Sequence, residues 1–193
     1  MASAPTPGSN LESNLDLDAL AEGFRRAHEL PAKDTAAIAA LLASCAVRLL
    51  ETRQVLFRER EEGTGAYFLL RGRIGVARRD PRGVLLYVST LEAPALLGHM
   101  SLVDGSPRSA TCTALGPCVV AEMDRTRFRG LVDSGGPRGS ALRRLLISAM
   151  SVQLKNANSR ILTIIDPPPE AADDETTEHG IEEVTRVLEG WKP

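Results

Sequence analysis

The sequence predicts a mainly β fold, an antiparallel sandwich or barrel with helices before and after it. Three observations predict this class. Short apolar runs recur at roughly ten-residue spacing between about residues 47 and 123. Turn-forming residues separate these runs, and helical periodicity replaces them at both ends. With 193 residues, the chain is long enough for one well-cored domain with helical additions.

The predicted strands are apolar runs bounded by glycine, proline and acidic residues. Between two of them, Asp80-Pro81-Arg82-Gly83 predicts a hairpin turn in which Gly83 takes a positive φ. The segment 95–110 breaks the strand rhythm, so we predict a loop or short helix there. The predicted strands are 55–59, 66–72, 73–79, 84–91, 109–115 and 118–123.

Helical segments flank this central region. Asp34 is placed to cap the second of two N-terminal helices, in which Ile38, Leu41 and Leu42 are apolar. A short hinge helix follows Asp124, and a long helix follows the Gly135-Gly136-Pro137 break. The predicted organisation is a disordered terminus at 1–10, helices at 11–46, the barrel at 47–123, hinge and long helix at 124–165, and a Pro-rich acidic tail at 166–193.

Composition argues against several classes of protein. The net charge of −2 shows no bias toward nucleic acid. No apolar run approaches the length of a membrane span, and the N-terminus has no leader-like pattern, so we expect a cytoplasmic protein with no membrane contact. The three cysteines and three histidines do not cluster at metal-site spacing, so neither a metal nor another cofactor is expected.

The segment 97–110 carries the chemistry. Gly98 lets the backbone approach a ligand, and a helix beginning after it would direct free N–H groups at an anion. Arg108 is suited to clamp a phosphate through bidentate, charged hydrogen bonds, beside the Ser109 hydroxyl and the small Ala110. Taken alone, these residues favour the simpler interpretation, a loop between strands with a solvent-facing arginine.

The order of motifs resembles a known family. Leu97-Gly98-His99-Met100-Ser101-Leu102 followed by Arg108-Ser109-Ala110 resembles the phosphate-binding cassette of cyclic nucleotide-binding domains. Residues 54–59 resemble that family's first barrel strand, 66–73 its conserved hairpin and 124–128 the helix after the barrel. The resemblance covers about residues 20–165 and implies a β-roll or jelly-roll barrel like that of the catabolite activator protein, with N-terminal helices and a long C-terminal helix.

The resemblance also implies a ligand site. Arg108 would bind the cyclic phosphate, with Gly98, His99, Ser109 and Ala110 completing the anion cradle. His99 stands where the family has a glutamate that accepts a hydrogen bond from the ribose 2′-hydroxyl. A neutral histidine still accepts one hydrogen bond, whereas a protonated one would reinforce the anion site. The remaining candidates for the ribose and base are Leu97, Leu86, Val88, Asn156 and Asn158. Arg53 and Arg60 occupy turn positions where glycine is common in the family.

The long helix and the C-terminal tail indicate which partners the chain is expected to bind. An apolar stripe in the helix favours a homodimer through 138–165, although the same stripe would also pack on its own barrel. In the family's transcription activators a DNA-binding domain follows this helix. The residues that follow here are few and acidic, so no direct binding of nucleic acid is expected. An amphipathic segment at 178–191 is a candidate docking peptide for a protein partner, or a solvated tail. The stripe comprises Ile147, Met150, Leu154, Ala157, Ile161 and Ile164.

These features predict a non-enzymatic signalling module that binds cAMP or cGMP and relays the signal to a protein partner. The alternative is a degenerate domain of the same fold that acts as a ligand-independent interaction or scaffold module. An enzyme on a similar barrel is disfavoured, because the sequence has no His-x-His pair, no Gly-x-Ser-x-Gly elbow and no phosphate-binding Walker loop.

Overall fold

A computed structural model of the chain describes residues 15–165. The predictions of disorder at 1–10 and of a short docking helix at 178–191 lie outside the described residues. No helix in the described part is long and apolar enough to cross a membrane. Residues 15–165 also contain no group of three or more His, Cys, Asp or Glu side chains arranged to hold a metal ion.

The N-terminal helices pack beneath the barrel. Helix α1 (Leu17–Ala27) is capped by Asp16, whose carboxylate accepts from the Ala19 amide at 2.9 Å. A 3-10 turn (Ala32–Asp34) leads into α2 (Thr35–Leu42). Asp34 stands at the N-cap of α2, but the prediction that it caps this helix is wrong. Its carboxylate instead accepts two hydrogen bonds from Arg144 of the long helix, because a buried carboxylate gains more from a guanidinium than from one amide.

Eight strands form two four-stranded antiparallel sheets. One sheet has the order β1-β8-β3-β6 and the other β2-β7-β4-β5. Together with the flanking helices, they confirm the predicted mainly β class. The strands are β1 (Ala46–Leu50), β2 (Val55–Phe57), β3 (Gly65–Arg71), β4 (Arg73–Arg79), β5 (Leu85–Glu92), β6 (Ala95–Leu97), β7 (Thr111–Ala114) and β8 (Cys118–Asp124).

Two strands were not predicted from the sequence. β1 pairs along β8, so the segment that resembled the family's first barrel strand is the second strand of this barrel. β6 has only three residues and pairs with β3 directly before Gly98, within the segment predicted to break the strand rhythm. A strand this short leaves almost no alternation in the sequence.

Left-handed backbone occurs where the turns require it. Gly83 has φ +85°, as the hairpin prediction required. Arg53 and Arg60 adopt φ +69° and +70°, so these two arginines occupy backbone conformations that favour glycine. Both turns therefore keep the geometry of a glycine turn despite the substitutions.

Three helices follow or interrupt the strands. The single-turn α3 (Met100–Val103) lies after β6, α4 (Arg125–Asp133) after β8, and α5 (Pro137–Ile165) after a short break. Leu142 and Leu145 bury the first half of α5 against α2 and the first sheet. Ile147 and Leu154 are 65% and 63% exposed. These two residues of the predicted stripe therefore face solvent and do not pack on their own barrel.

The core is divided between two layers. One cluster, including Phe24 and Phe68, fills the space between the first sheet and the helices. The other, including Leu69 and Ile74, lies between the two sheets. The segment from β6 to α3 joins the two layers, because Leu97 belongs to the inter-sheet cluster and Leu102 to the helical one. Residues between them are thus held from both sides.

Candidate functional site

A cavity of about 320 Å³ opens between the second sheet, the β6–α3 turn and helix α5. Its walls combine an apolar floor with polar groups from several elements, as is usual for small-molecule sites. The lining residues are Phe57, Val76, Arg78, Val88, Ser89, Thr90, Leu91, Leu96, Leu97, Gly98, His99, Met100, Ser101, Arg108, Ser109, Ala110, Cys112, Gln153, Asn156 and Ala157.

Most of the residues predicted for the site line this cavity. The two chain segments on either side of α3 contribute Gly98 before it and Arg108, Ser109 and Ala110 after it. Helix α5 contributes Asn156, and the walls include Leu97 and Val88. Leu86 and Asn158 do not line it. Leu86 lies two residues nearer the β4–β5 hairpin than Val88 and is half exposed, and Asn158 is turned about 200° from Asn156 around the helix.

Arg108 is the central side chain of the site, and only 3% of it is exposed. Its Nη1 donates to Ser101 Oγ at 2.8 Å and to the Gly98 carbonyl, and its Nη2 donates to the Gly65 carbonyl at 2.6 Å. The guanidinium carbon lies 4.3 Å from the centre of the Phe57 ring. Protein atoms thus hold the guanidinium in one orientation.

The charge of Arg108 has no anionic partner in the described part of the chain. Its hydrogen-bond acceptors are two carbonyls and a hydroxyl, and its Nε is buried without a partner. Burial lowers the pKa of Arg108 from its ordinary value, but a guanidinium remains protonated in proteins. The site therefore buries a full positive charge that only neutral groups solvate.

Gly98 makes this arrangement sterically feasible. It has φ +67°, and a Cβ atom at this position would lie 2.5 Å from Arg108 Nη1. Any larger residue would be strained in its backbone and would overlap the guanidinium. The lack of a side chain at Gly98 therefore leaves room for the Arg108 guanidinium and also allows the positive φ of the turn into α3.

His99 is buried in a neutral form. Only 1% of it is exposed, and neither ring nitrogen has a hydrogen-bond partner. Burial lowers the pKa of His99 to about 4, and the charge of His28 lowers it further; the Leu96 backbone acts in the opposite direction, more strongly than Arg108 lowers the pKa. Both nitrogens are inaccessible to solvent, so in this structure the ring offers no acceptor to a ligand hydroxyl.

The remaining polar groups of the cavity are mostly neutral. Arg78 on β4 is the second cation, mostly exposed at the rim, with its Nε 3.9 Å from a Glu59 carboxylate oxygen. Hydroxyls come from Ser89, Thr90 and Ser109, and none of the residues lining the cavity is an aspartate or glutamate. The cavity is therefore a cationic site without an internal counter-ion.

Sequence reasoning missed three of the lining residues that matter most. Phe57 supports the guanidinium, Arg78 adds rim charge and Gln153 projects from α5. Gln153 stands three residues before Asn156, so helical spacing placed it on the same face. Phe57 belonged to a predicted strand, but nothing in its neighbours indicated a contact with Arg108.

Comparison with known proteins gives this geometry a context. Residues 47–134 match the profile of the family described as the cyclic nucleotide-binding domain. The cAMP-activated global transcriptional regulator CRP of Salmonella typhimurium is 27% identical over 92 residues, covering 47% of this chain and 44% of that protein. A CRP-like cAMP-activated global transcriptional regulator of Mycobacterium tuberculosis is 26% identical over 117 residues, 61% of this chain and 51% of that protein. The aligned part thus spans about half the length of these relatives.

Solved structures share the fold. A cyclic nucleotide-binding domain from Methylobacillus flagellatus superposes with a TM-score of 0.66 at 20% identity, covering 81% of this chain and 88% of that one. The Thermus thermophilus catabolite activator protein gives a TM-score of 0.58 at 20% identity, covering 71% and 61%. The predicted resemblance is confirmed by these matches.

Proposed function

We propose that this chain, whose residues 47–134 belong to the cyclic nucleotide-binding domain family, binds a cyclic mononucleotide in the cavity beside Arg108. The observation that carries the proposal is the buried guanidinium without an anionic partner. Burying an unpaired charge is costly, and an anionic ligand that accepts from Arg108 would offset that cost. The cyclic phosphate is an anion of the right charge and size.

The size of the cavity favours one mononucleotide over a dinucleotide. Its volume of about 320 Å³ is near the lower limit of small-molecule sites, which span about 300–1,000 Å³. Val88 and Leu97 would contact the apolar faces of the ligand, while Gln153 and Asn156 offer amide groups to the base. The amide of Asn156 both donates and accepts, so it suits the edge of either adenine or guanine.

We propose further that the domain is regulatory and non-enzymatic and acts as a homodimer. Helix α5 both lines the cavity and exposes Ile147 and Leu154, seven residues apart, on its free side. A seven-residue apolar repeat suits the seam of two helices. A ligand that contacts Asn156 and Gln153 would therefore touch the same helix that forms the seam, and a protein partner would read the resulting change.

Titration of the purified chain with cAMP and with cGMP by isothermal calorimetry tests the proposal. We expect saturable binding of at least one nucleotide. Arg108→Gln is expected to weaken it by about 10- to 100-fold, because a charged hydrogen bond contributes about 1.5–3 kcal/mol. Arg129→Gln is the matched control, since Arg129 is exposed on α4 and does not line the cavity, and a change of about threefold or less is expected there.

A second variant is needed because the hydrogen bonds of Arg108 also stabilise the fold, so Arg108→Gln could reduce binding through a loss of structure. Val88→Trp would fill the cavity while leaving every hydrogen bond of Arg108 in place, and it is expected to abolish binding with an unchanged melting temperature. The absence of heat with both nucleotides would instead favour the ligand-independent scaffold. The Nη atoms of Arg108 already donate hydrogen bonds to protein groups, and this observation supports the scaffold alternative.

A further inference from the structure

Charge is distributed unevenly along this chain. Residues 15–165 carry 21 Lys and Arg side chains against 15 Asp and Glu. Residues 166–193 carry nine Asp and Glu against only two basic side chains. The part of the chain that contains the cavity and the stretch that follows it therefore have opposite net charges at neutral pH, and opposite charges attract within a Debye length.

The negative charge of the C-terminal stretch is concentrated in residues 170–178. These nine residues read EAADDETTE, with five carboxylates, no basic residue and no large apolar side chain. Beyond them, Arg186 and Lys192 accompany the three remaining carboxylates. A block of like charge is typical of segments that contact a surface of the opposite sign. We refer to residues 170–178 as the acidic segment.

The cavity beside Arg108 offers a surface of the opposite sign. Arg108 is buried in its wall, Arg78 lies at its rim, and none of its lining residues is an aspartate or glutamate. Glu59 lies 3.9 Å from Arg78 Nε, a distance at which an exposed pair contributes little. The positive charge of the lining is therefore not neutralised from within. Its exposed lining residues, which form the mouth of the cavity, are Arg78, Met100, Ser109, Gln153, Asn156 and Ala157.

Helix α5 brings the chain that carries the acidic segment past this mouth. Asn156 and Ala157 line the cavity, and α5 ends at Ile165, about 12 Å further along the helix axis. The prolines at 167–169 do not continue an α-helix, so the residues after them need not follow that axis. The eight residues from Ile165 to Asp173 span up to about 26 Å when extended. The acidic segment is therefore long enough to return to the mouth.

Covalent attachment strengthens a contact that would be weak between separate molecules. One exposed carboxylate–guanidinium pair contributes little. A segment on a short tether, however, has an effective concentration in the millimolar range at a site that it can reach. Several carboxylates also compete for the same two cations, so loss of any one pair does not end the contact. Because charge dominates this contact, salt is expected to weaken it.

We propose that the acidic segment is an internal anion, which occupies the mouth of the cavity in the ligand-free chain and competes with an anionic ligand. The contact needs only the cavity and the segment, whereas the competition rests on the proposed function. A nucleotide would displace the segment because its base and sugar would contact Val88 and Leu97, for which the segment has no large apolar side chain. The segment therefore raises the ligand concentration at which the site fills.

Paramagnetic NMR on the full chain tests the contact in the absence of nucleotide. The three native cysteines are buried, so a nitroxide label on Thr176→Cys is selective for the acidic segment. We expect this label to broaden the backbone amide signals of Met100, Ser109 and Asn156, and high salt to restore them. The same label on Thr185→Cys, beyond the acidic segment, is the matched control and should broaden these signals less.

The same spectra distinguish other locations of the segment. Broadening at Arg127, Arg129 and Arg138 instead of at the mouth would assign the segment to the exposed arginines of α4 and the beginning of α5, and would overturn the proposal. Isotope-labelled chains mixed with spin-labelled chains report contacts between copies. Broadening at the mouth only in such mixed samples would assign the contact to a second copy and would also overturn it.

Calorimetry with cAMP and cGMP tests the competition in the full chain. Three carboxylates of the acidic segment are neutralised together, by Asp173→Asn, Asp174→Asn and Glu175→Gln. We expect about 3- to 10-fold tighter binding at about 20 mM salt, and a difference of less than about twofold at about 1 M salt, where the charges are screened. The matched control removes the same number of charges beyond the segment, by Glu182→Gln, Glu183→Gln and Glu189→Gln. It should change the affinity by less than about twofold.

The two measurements separate the proposal from the proposed function. Unchanged affinity in the first triple variant, or equal gains in both, would overturn the competition by the acidic segment. Unbroadened signals at the mouth would overturn the contact. Broadening at the mouth, without binding of either nucleotide in any variant, would refute the proposed function and would support the acidic segment as the anion that the cavity holds.

Discussion

Acidification from pH 7 to pH 5 is expected to destabilise the fold through His99. The ring is 1% exposed and both of its nitrogens lack partners, so the folded chain holds it in the neutral form. Its pKa is about 4 when folded, against 6.5 for an ordinary histidine. Between these values the unfolded chain binds a proton that the folded chain does not, so stability decreases as the pH falls.

The magnitude follows from proton linkage. One pKa unit corresponds to about 1.4 kcal/mol, so the shift from 6.5 to about 4 contributes about 3 kcal/mol once the pH lies below both values. At pH 5 the unfolded ring is almost fully protonated and the folded ring almost fully neutral. The loss attributable to His99 at this pH is therefore about 2 kcal/mol.

Urea unfolding of the unmodified chain and of His99→Leu, each at pH 7 and pH 5, measures this contribution. At pH 7 the leucine variant should be as stable or more so, because it removes two unpartnered buried nitrogens. Between pH 7 and 5 it should lose about 2 kcal/mol less than the unmodified chain. Burial also lowers the pKa of His28. Such groups are present in both proteins, so they contribute equally to the stability that each protein loses. Equal losses in the two proteins would refute this account of His99.

Three further perturbations have expected outcomes. Arg144→Met should lower the free energy of unfolding by about 2–3 kcal/mol in urea titrations, because it leaves the buried Asp34 carboxylate unpaired. The 36% exposure of Arg144 keeps the loss at this moderate value. An unchanged urea midpoint would contradict this prediction. Gly98→Ala should weaken nucleotide binding by about tenfold in calorimetry, because the added methyl group displaces Arg108 Nη1; unaltered affinity would show that the turn relaxes. Leu154→Glu should convert a dimer to a monomer in analytical ultracentrifugation while the far-UV circular dichroism stays that of a folded chain, and an unchanged mass would place the seam elsewhere.

Local signals in the sequence were sufficient to place Gly98 beside Arg108. Gly98 and Arg108 are ten positions apart on the two sides of one short helix, so their proximity follows from the turn between them. The Gly83 hairpin was likewise predictable, because positive φ and the Asp-Pro-x-Gly pattern belong to the same four residues. Features of this kind depend on few tertiary contacts.

Features that depend on distant backbone were not predictable. Asp34 and Arg144 are 110 positions apart, and nothing near Asp34 in the sequence distinguishes a helix cap from an ion-pair partner. The acceptors of Arg108 at Gly65 and Gly98 are carbonyls, and every residue has one. The sequence therefore identified the cation of the site but not the groups that orient it.

The lining of the cavity contains no carboxylate, and this determines what surrounds Arg108. A carboxylate beside Arg108 would accept from its Nη atoms and neutralise its charge. Those donors go instead to the carbonyls of Gly98 and Gly65 and to the Ser101 hydroxyl. Under the proposed function, a cyclic phosphate would therefore supply the negative charge that the lining lacks, and the ribose hydroxyl would find no carboxylate to accept from it.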